Sequence, residues 1–381
     1  MMSPADREHN AGCSGVDGAN ASVSCAGSSE RPSDEGSVKP CAGCCSCGSS
    51  DGGGKDVGAG RSPSRAWWFP IAFMGTYALI LAVCGELRAE HVAVAGLLSG
   101  LALVGPRCRQ FLVDITPYAL IAVGYDSVRY AQALVVRAEN VFGCGLRDLE
   151  LKIFPFPFAD NMTFPDWFNV HHHPVLDLYA AVPYFGFVYI AFLYAAFLFV
   201  VDRPRMRRYL WSLAIANYIA FAMYVFLPAA PPWYILANGC EIDLATASNS
   251  AGLSRVDELL GISYFAAFYS RAASVFGALP SMHCAFPMLG LLTAWRSITW
   301  KTRWIHILYA GSMVFAAVYL THHWILDAVA GWTVAAVSVA IMTGVQHFLK
   351  RISDKNARQQ ERLATQQVNG ISLEKGYETK Q

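Results

Sequence analysis

Three ionisable side chains occur where an apolar sequence should hold none. The stretch "VYLTHHWILDAVAG" (Val318 to Gly331) lies inside a long apolar run, yet carries His322, His323 and Asp327. Charge inside a bilayer is costly, so such residues are retained for a function. His323 and Asp327 are four apart, which on a helix puts them on one face. A carboxylate bonded to one ring nitrogen fixes the tautomer and leaves the other nitrogen basic. That prepares a histidine as a base or nucleophile. His322 would point about 100° away and cannot share that geometry.

A second histidine, His283, closes "FGALPSMH" (Phe276 to His283) and could protonate a leaving group. Ser281 could hydrogen-bond an anionic oxygen, and Pro280 favours a helix start whose free N–H groups attract phosphate. Two other readings use the same residues. The histidines could be structural, capped by carbonyls at a helix end, or His283, His323 and Asp327 could hold zinc. Two histidines with an aspartate at helical spacing, all on one membrane face, favour catalysis.

The elements that must position these groups follow from composition. The chain has 381 residues, 54% hydrophobic and 15% charged, against about 25% charged for a soluble domain. Apolar segments fall at 67–86, 91–105, 111–128, 182–201, 209–227, 275–295, 304–323 and 325–348, with 91–105 and 111–128 the weakest. The expected fold is all-α: a polytopic membrane bundle of about eight spans over residues 66–349. It is flanked by a Gly/Ser/Cys-rich tail (1–65) and a charged tail (350–381) with a helix at its start. A net charge of +1, without a basic patch interleaved with aromatics, gives no sign of nucleic acid.

The basic loops "PRCR" (Pro106 to Arg109), "DRPRMRR" (Asp202 to Arg208), "RSITWKTR" (Arg296 to Arg303) and Lys350-Arg351 all fall on one side of an eight-span topology. That side is the cytosol. The long connections 129–181 and 228–274 then face the lumen or exterior, with "LPAAPPWY" (Leu227 to Tyr234), His283 and the His322–Asp327 turn. The sequon Asn161-Met162-Thr163 lies on that side, where glycosylation could occur. Cys144 and Cys240 lie there too and could pair. The start, "MMSPADREHNAGCSG", has no apolar run of a signal peptide, so the first span is expected to direct insertion. The run "CAGCCSC" (Cys41 to Cys47) suggests zinc, but its Gly/Ser-rich flanks and the lack of a following histidine favour an unstructured, S-acylated tail.

Pro280-Ser281-Met282-His283, and His323 with Asp327, resemble the second and third motifs of the type 2 phosphatidic acid phosphatase superfamily. The blocks "AAPPWY", "AGLSRVDELLGI" (Ala251 to Ile262), "VFGALPSMH" and "YLTHHWILDAVAG" resemble, in order and gaps, the fungal-type inositol phosphorylceramide synthases. "DLYAAVPYFGF" (Asp177 to Phe187) is a weaker block, and the resemblance covers roughly residues 110–345. It implies a six-helix core in spans three to eight, no cofactor and no metal. It also implies transfer of phosphoinositol from phosphatidylinositol to ceramide in a Golgi membrane, with the site facing the lumen. His323 would attack phosphorus to form a phosphohistidine, releasing diacylglycerol, and Asp327 would hold His323. His283 would protonate the leaving alkoxide and then deprotonate the ceramide hydroxyl.

The chain departs from the superfamily pattern in two places. Its Arg-Pro, Arg203-Pro204, lies on the cytosolic side, and Ala316-Ala317 stand where the third motif normally begins Ser-Arg. Arg255 and Arg271 are the candidates to offset phosphate charge, with Ser281, Trp233 and Tyr234 as further substrate contacts. Competing functions are a lipid phosphate phosphatase, a related transferase with another headgroup or acceptor, and a non-catalytic lipid-binding scaffold. A transporter fits less well, because the ionisable residues gather at one face rather than at the bilayer midplane.

Overall fold

The structure, a computed structural model, describes residues 65–270 and 275–378. The expectations for the N-terminal tail and for Arg271 fall outside those residues. A hairpin of α1 (Phe69–Val83) and α2 (Ala89–Val104) leads into α3 (Pro106–Val135). The first long connection holds α4 (Cys144–Ile153) and α5 (Phe164–Val170), and α6 (Pro174–Val201) and α7 (Arg203–Phe226) follow. The second long connection holds α8 (Pro232–Asn238), α9 (Ser254–Leu260) and α10 (Tyr264–Tyr269), and the chain ends with α11 (Met282–Ala294), α12 (Trp300–Tyr319) and α13 (Ile325–Glu378). Among the described residues β-pairing is limited to three isolated bridges, so the fold is all-α. Each apolar segment became a helix. The helix expected early in the charged tail is the unbroken continuation of α13.

Four helices, α3, α6, α7 and α13, are long and apolar enough to cross a membrane; α1, α2 and α11 are shorter apolar helices. Segment 111–128 reads as weak because it carries Asp114 and Asp126, and the structure shows how α3 tolerates them. Asp114 is buried and accepts from Nε of Arg203 (2.6 Å) and Nε of Arg207 (2.7 Å). Asp126 accepts from the Tyr77 hydroxyl at 2.7 Å and from Arg88, with His91 and Arg129 also against it. The first cluster ties α3 to α7 and the second ties it to the α1–α2 hairpin.

Local signals set the helix starts. Asp202 caps α7 by accepting from the Arg205 N–H (3.0 Å), with Pro204 in the first turn. Thr163 and Asp166 form a reciprocal capping box on α5. The core joins α6, α7, α11 and α13 through Ala191, Ala195, Leu198, Leu210, Leu213, Ala216, Leu289 and Ala335. Small residues in these rows let helix axes approach closely where lipid supplies no hydrophobic drive. The other face of α6 exposes Val182, Phe192, Leu193, Phe197 and Val200. Such a stripe is a liability in water and costs nothing against lipid. The chain is an integral membrane protein.

The two long connections pack over one end of the bundle. Phe142 donates its N–H to the Pro228 carbonyl (2.8 Å), and Ala230 donates to the Phe142 carbonyl (2.9 Å). Ala229 donates to Phe276 (2.9 Å), and Ala278 donates to Ala229 (3.3 Å). A disulfide joins Cys144, at the start of α4, to Cys240, with Cα atoms 5.3 Å apart. Three extended pieces remote in sequence thus lie side by side beneath the starts of α11 and α13.

Candidate active site

His323 does not sit on a helix. α12 ends at Tyr319, Thr321 takes a left-handed backbone (φ 58°), and the N–H groups of His322 and His323 both donate to the Ala317 carbonyl at 3.1 Å. α13 begins at Ile325, and Oδ2 of Asp327 accepts from the Trp324 N–H (2.9 Å). The expectation of a shared helix face is therefore corrected. The two side chains meet because Asp327 folds back to cap its own helix, which brings Oδ2 to 3.4 Å from Nδ1 of His323. Nδ1 is closer still to the Ala278 carbonyl, at 3.1 Å. A carbonyl only accepts, so Nδ1 carries the proton and Nε2 keeps its lone pair.

That lone pair faces His283. Nε2 of His323 lies 3.2 Å from Nδ1 of His283, which must be the donor. His283 follows the N-cap of α11, where Oγ of Ser281 accepts from the Cys284 N–H (3.3 Å). Ser281 also donates its backbone N–H to the Asp327 carbonyl (2.9 Å), fastening the start of α11 to the first turn of α13. Gly331 permits this approach: a Cβ there would fall 2.2 Å from the Ser281 carbonyl oxygen. The zinc alternative does not suit this geometry. Asp327 meets Nδ1 of His323 while His283 meets Nε2, and these nitrogens point apart, so the three side chains do not converge on one ion.

Tyr184 of α6, in the "DLYAAVPYFGF" block, is almost fully buried between the histidines. Its ring stacks on His283 (centroids 4.1 Å apart, 9° between planes) and on His322 (4.8 Å). Tyr269 also stacks on His322, with centroids 4.9 Å apart, and Nε2 of His322 donates to the Ser250 carbonyl at 3.0 Å. Buried, stacked on two tyrosines and with its ring N–H spent on a backbone carbonyl, His322 has a positional role.

Arg255 of α9 reaches this neighbourhood. Its Nε donates to Oδ1 of Asp177 (2.8 Å), and its guanidinium lies 5.4 Å from the Tyr319 ring centre. Among the described residues, Nη2 is buried without a hydrogen-bond partner. Gly252 makes room for it, since a Cβ there would lie 2.8 Å from Nη2 and 2.9 Å from the Leu320 backbone. Arg203, by contrast, is at the far end of α7, 24 residues long and therefore about 35 Å from end to end. Ala316 and Ala317 are fully buried in the core around Tyr184, with no space for an arginine.

Trp233 and Tyr234, the two aromatic substrate contacts expected, both brace the turns around the site. Tyr234 is fully buried; its hydroxyl donates to the Glu241 carbonyl (3.1 Å) and accepts from the Asp243 N–H (2.7 Å). The hydroxyl's one proton is thus spent within the protein. Trp233 packs beside it and donates its backbone N–H to the Thr321 carbonyl (2.9 Å), holding the histidine turn. Tyr184 and Asp177 were not singled out from the sequence, although both fall in the "DLYAAVPYFGF" block.

The PAP2 superfamily model matches residues 156–341. The chain is 33% identical over 295 residues to the phosphoinositol dihydroceramide synthase of Bacteroides thetaiotaomicron, covering 74% of this chain and 95% of that protein. It is 31% identical over 166 residues to the inositol phosphorylceramide synthase of Candida albicans, covering 41% of this chain and 34% of that protein. A match to the inositol phosphorylceramide synthase catalytic subunit aur1 of Schizosaccharomyces pombe, 30% identical, covers 43% of this chain and 40% of that one. The solved structure of Aquifex aeolicus LpxE, 16% identical, covers 50% of this chain and 99% of that one with a TM-score of 0.37, too low to carry an argument.

Proposed function

Because the chain belongs to the PAP2 superfamily, and within it to the family of inositol phosphorylceramide and phosphoinositol dihydroceramide synthases, we propose that it is a phosphotransferase moving phosphoinositol from phosphatidylinositol to a ceramide. The observation that carries the mechanism is the ordered pair His283–His323, with Nδ1 of His323 held by the Ala278 carbonyl and Asp327. The lone pair on Nε2 attacks phosphorus, forming an N–P bond as the P–O bond to diacylglycerol breaks. The leaving oxygen takes the proton from Nδ1 of His283, which enters this step as an imidazolium protonated on both nitrogens and leaves it as a neutral imidazole. That nitrogen then removes the proton of the ceramide hydroxyl, whose oxygen attacks phosphorus, breaks the N–P bond and restores both histidines.

The 3.2 Å contact between the rings must open for this chemistry. A reacting phosphorus needs about 3–3.5 Å of approach to Nε2, so the phosphoryl group has to part the histidines. Asp327 stabilises the positive charge that grows on His323. The unpartnered Nη2 of Arg255 and the hydroxyl proton of Ser281 supply donors to the phosphoryl oxygens. Arg271 is a second candidate. No cofactor takes part.

The disulfide supports an oxidising location for the site face, as do basic loops at the opposite helix ends. In a cell with a secretory pathway this is the lumen of the Golgi; in a bacterium it is the periplasmic side. The test uses purified protein in detergent with chelator present. Labelled phosphatidylinositol is supplied with and without ceramide. Ceramide-dependent inositol phosphorylceramide with matching diacylglycerol is expected. Ceramide-independent release of water-soluble inositol phosphate would replace the transferase with a hydrolase.

A further inference from the structure

The lumenal-side layer contains a fully buried carboxylate that the mechanism above does not use. Glu150 lies on α4, 0% exposed, and both of its oxygens point at the start of α13. Oε1 accepts from the Ile325 N–H at 2.8 Å and Oε2 from the Leu326 N–H at 3.0 Å. A helix leaves its first four N–H groups without partners inside the helix. In α13 these two are served by a residue some 175 positions away in sequence. The cap is therefore a tertiary bond, and whatever holds α4 also holds the first turn of α13.

α4 is well held. Its first residue, Cys144, is disulfide-bonded to Cys240; Arg147 on the next turn donates to Oδ2 of Asp166 at 2.8 Å; and Phe142 just before it is bonded to Pro228 and Ala230. The turn so clamped is short and crowded with function. His323 precedes Ile325 by two residues, and Asp327 follows it by two.

Building on the transferase reading, we propose that Glu150 is a positioning residue for catalysis: by accepting from the N–H groups of Ile325 and Leu326 it fixes the His323–Asp327 turn against His283. Burial pushes its carboxyl up to about 7 despite the two backbone bonds, with Asp327 and Asp166 the acidic neighbours adding to the rise. Retaining a carboxylate at that cost points to a geometric requirement beyond packing.

The test is Glu150→Gln, which keeps shape but offers one acceptor where two are needed, and sets an amide N–H₂ against a backbone N–H. Turnover should fall about 10- to 100-fold, the range for a misplacement of about 1 Å near reacting groups, while KM for phosphatidylinositol stays within about twofold. Hydrogen exchange at the amides of residues 324–327 should rise. The double variant Glu150→Gln with Ile325→Pro removes the N–H left without a partner, and proline is favoured at a first helical position. It should regain most of the lost turnover and exchange protection. Turnover of Glu150→Gln within twofold of the parent overturns the proposal, and so does failure of the double variant to recover. If Glu150→Gln alone does not yield folded protein, recovery of folding and activity in the double variant supports it, and no recovery rejects it. The exchange measurement needs no substrate, so an inactive parent would count against the transferase reading and leave the role of Glu150 to be decided by exchange.

Discussion

Gly331→Ala sets two physical effects against each other. Within a helix, alanine is favoured over glycine by about 0.5–1 kcal/mol, so propensity alone makes the variant more stable. Packing gives the opposite sign. The new Cβ would land 2.2 Å from the Ser281 carbonyl oxygen, where real contacts stay above 3.0 Å, and it meets backbone rather than a side chain that could swing away. α13 must retreat from α11 by about 1 Å, and overpacking of this kind costs roughly 1–3 kcal/mol. The retreat acts on the site directly. Asp327 lies one turn before Gly331, and its carbonyl accepts the Ser281 N–H at 2.9 Å, a bond the shift would break. His283 on α11 and His323 beside α13 would separate in step, for an expected loss of about 100-fold in turnover. The assay is ceramide-dependent product formation per mole of monodisperse protein, with a thermal melt on the same sample. The variant should melt lower and turn over far more slowly. A Gly331→Ala protein melting at or above the parent with undiminished turnover would refute the close crossing of α11 and α13.

Asp327→Asn should fold at least as well as the parent, because among the described residues Oδ1 is buried without a partner and the amide oxygen can keep both Oδ2 contacts; turnover should nevertheless fall by about 100-fold or more, since the charge facing the growing imidazolium is gone. Melting curves and rates on one preparation check both halves. His322→Gln retains a donor for the Ser250 carbonyl but loses the ring stacks on Tyr184 and Tyr269, so it should cost roughly 1–2 kcal/mol of stability and only a few-fold in rate. Arg255→Lys should hold Asp177 yet lose the second donor, lowering turnover about 10- to 100-fold, read from initial rates across phosphatidylinositol concentrations. Replacing Cys144 and Cys240 together with serine should lower stability by about 2–4 kcal/mol, and reductant should lower the melting point of the parent but not of that variant.

The residues that meet at the site were more legible in the sequence than the geometry by which they meet. Histidines and an aspartate in apolar surroundings stand out, and short motifs sufficed to mark His283, His323 and Asp327. Their mutual placement was misread because spacing of four suggests a helix face, whereas the helix starts only at Ile325 and Asp327 acts as its cap. Hydropathy found all eight apolar segments but understated α3, since a composition window does not reveal that Asp114 and Asp126 are paired with arginines from other helices. Glu150 was invisible for a related reason: its partners are backbone N–H groups, which leave no trace in side-chain identity. Tyr234 shows the same limit from the other side. An aromatic in a family block suggested a substrate contact, yet its hydroxyl is bonded to the 241–243 backbone.

The most direct test of the central claim, that His323 carries the transferred group, is to trap it. The purified enzyme is mixed with phosphatidylinositol labelled at phosphorus, without ceramide, quenched in alkali and digested, and the labelled peptide is identified. Label is expected on His323, discharged into inositol phosphorylceramide when ceramide is added before the quench, and no label in His323→Ala. Product formation by His323→Ala at the parent rate, or label on another residue, would contradict it.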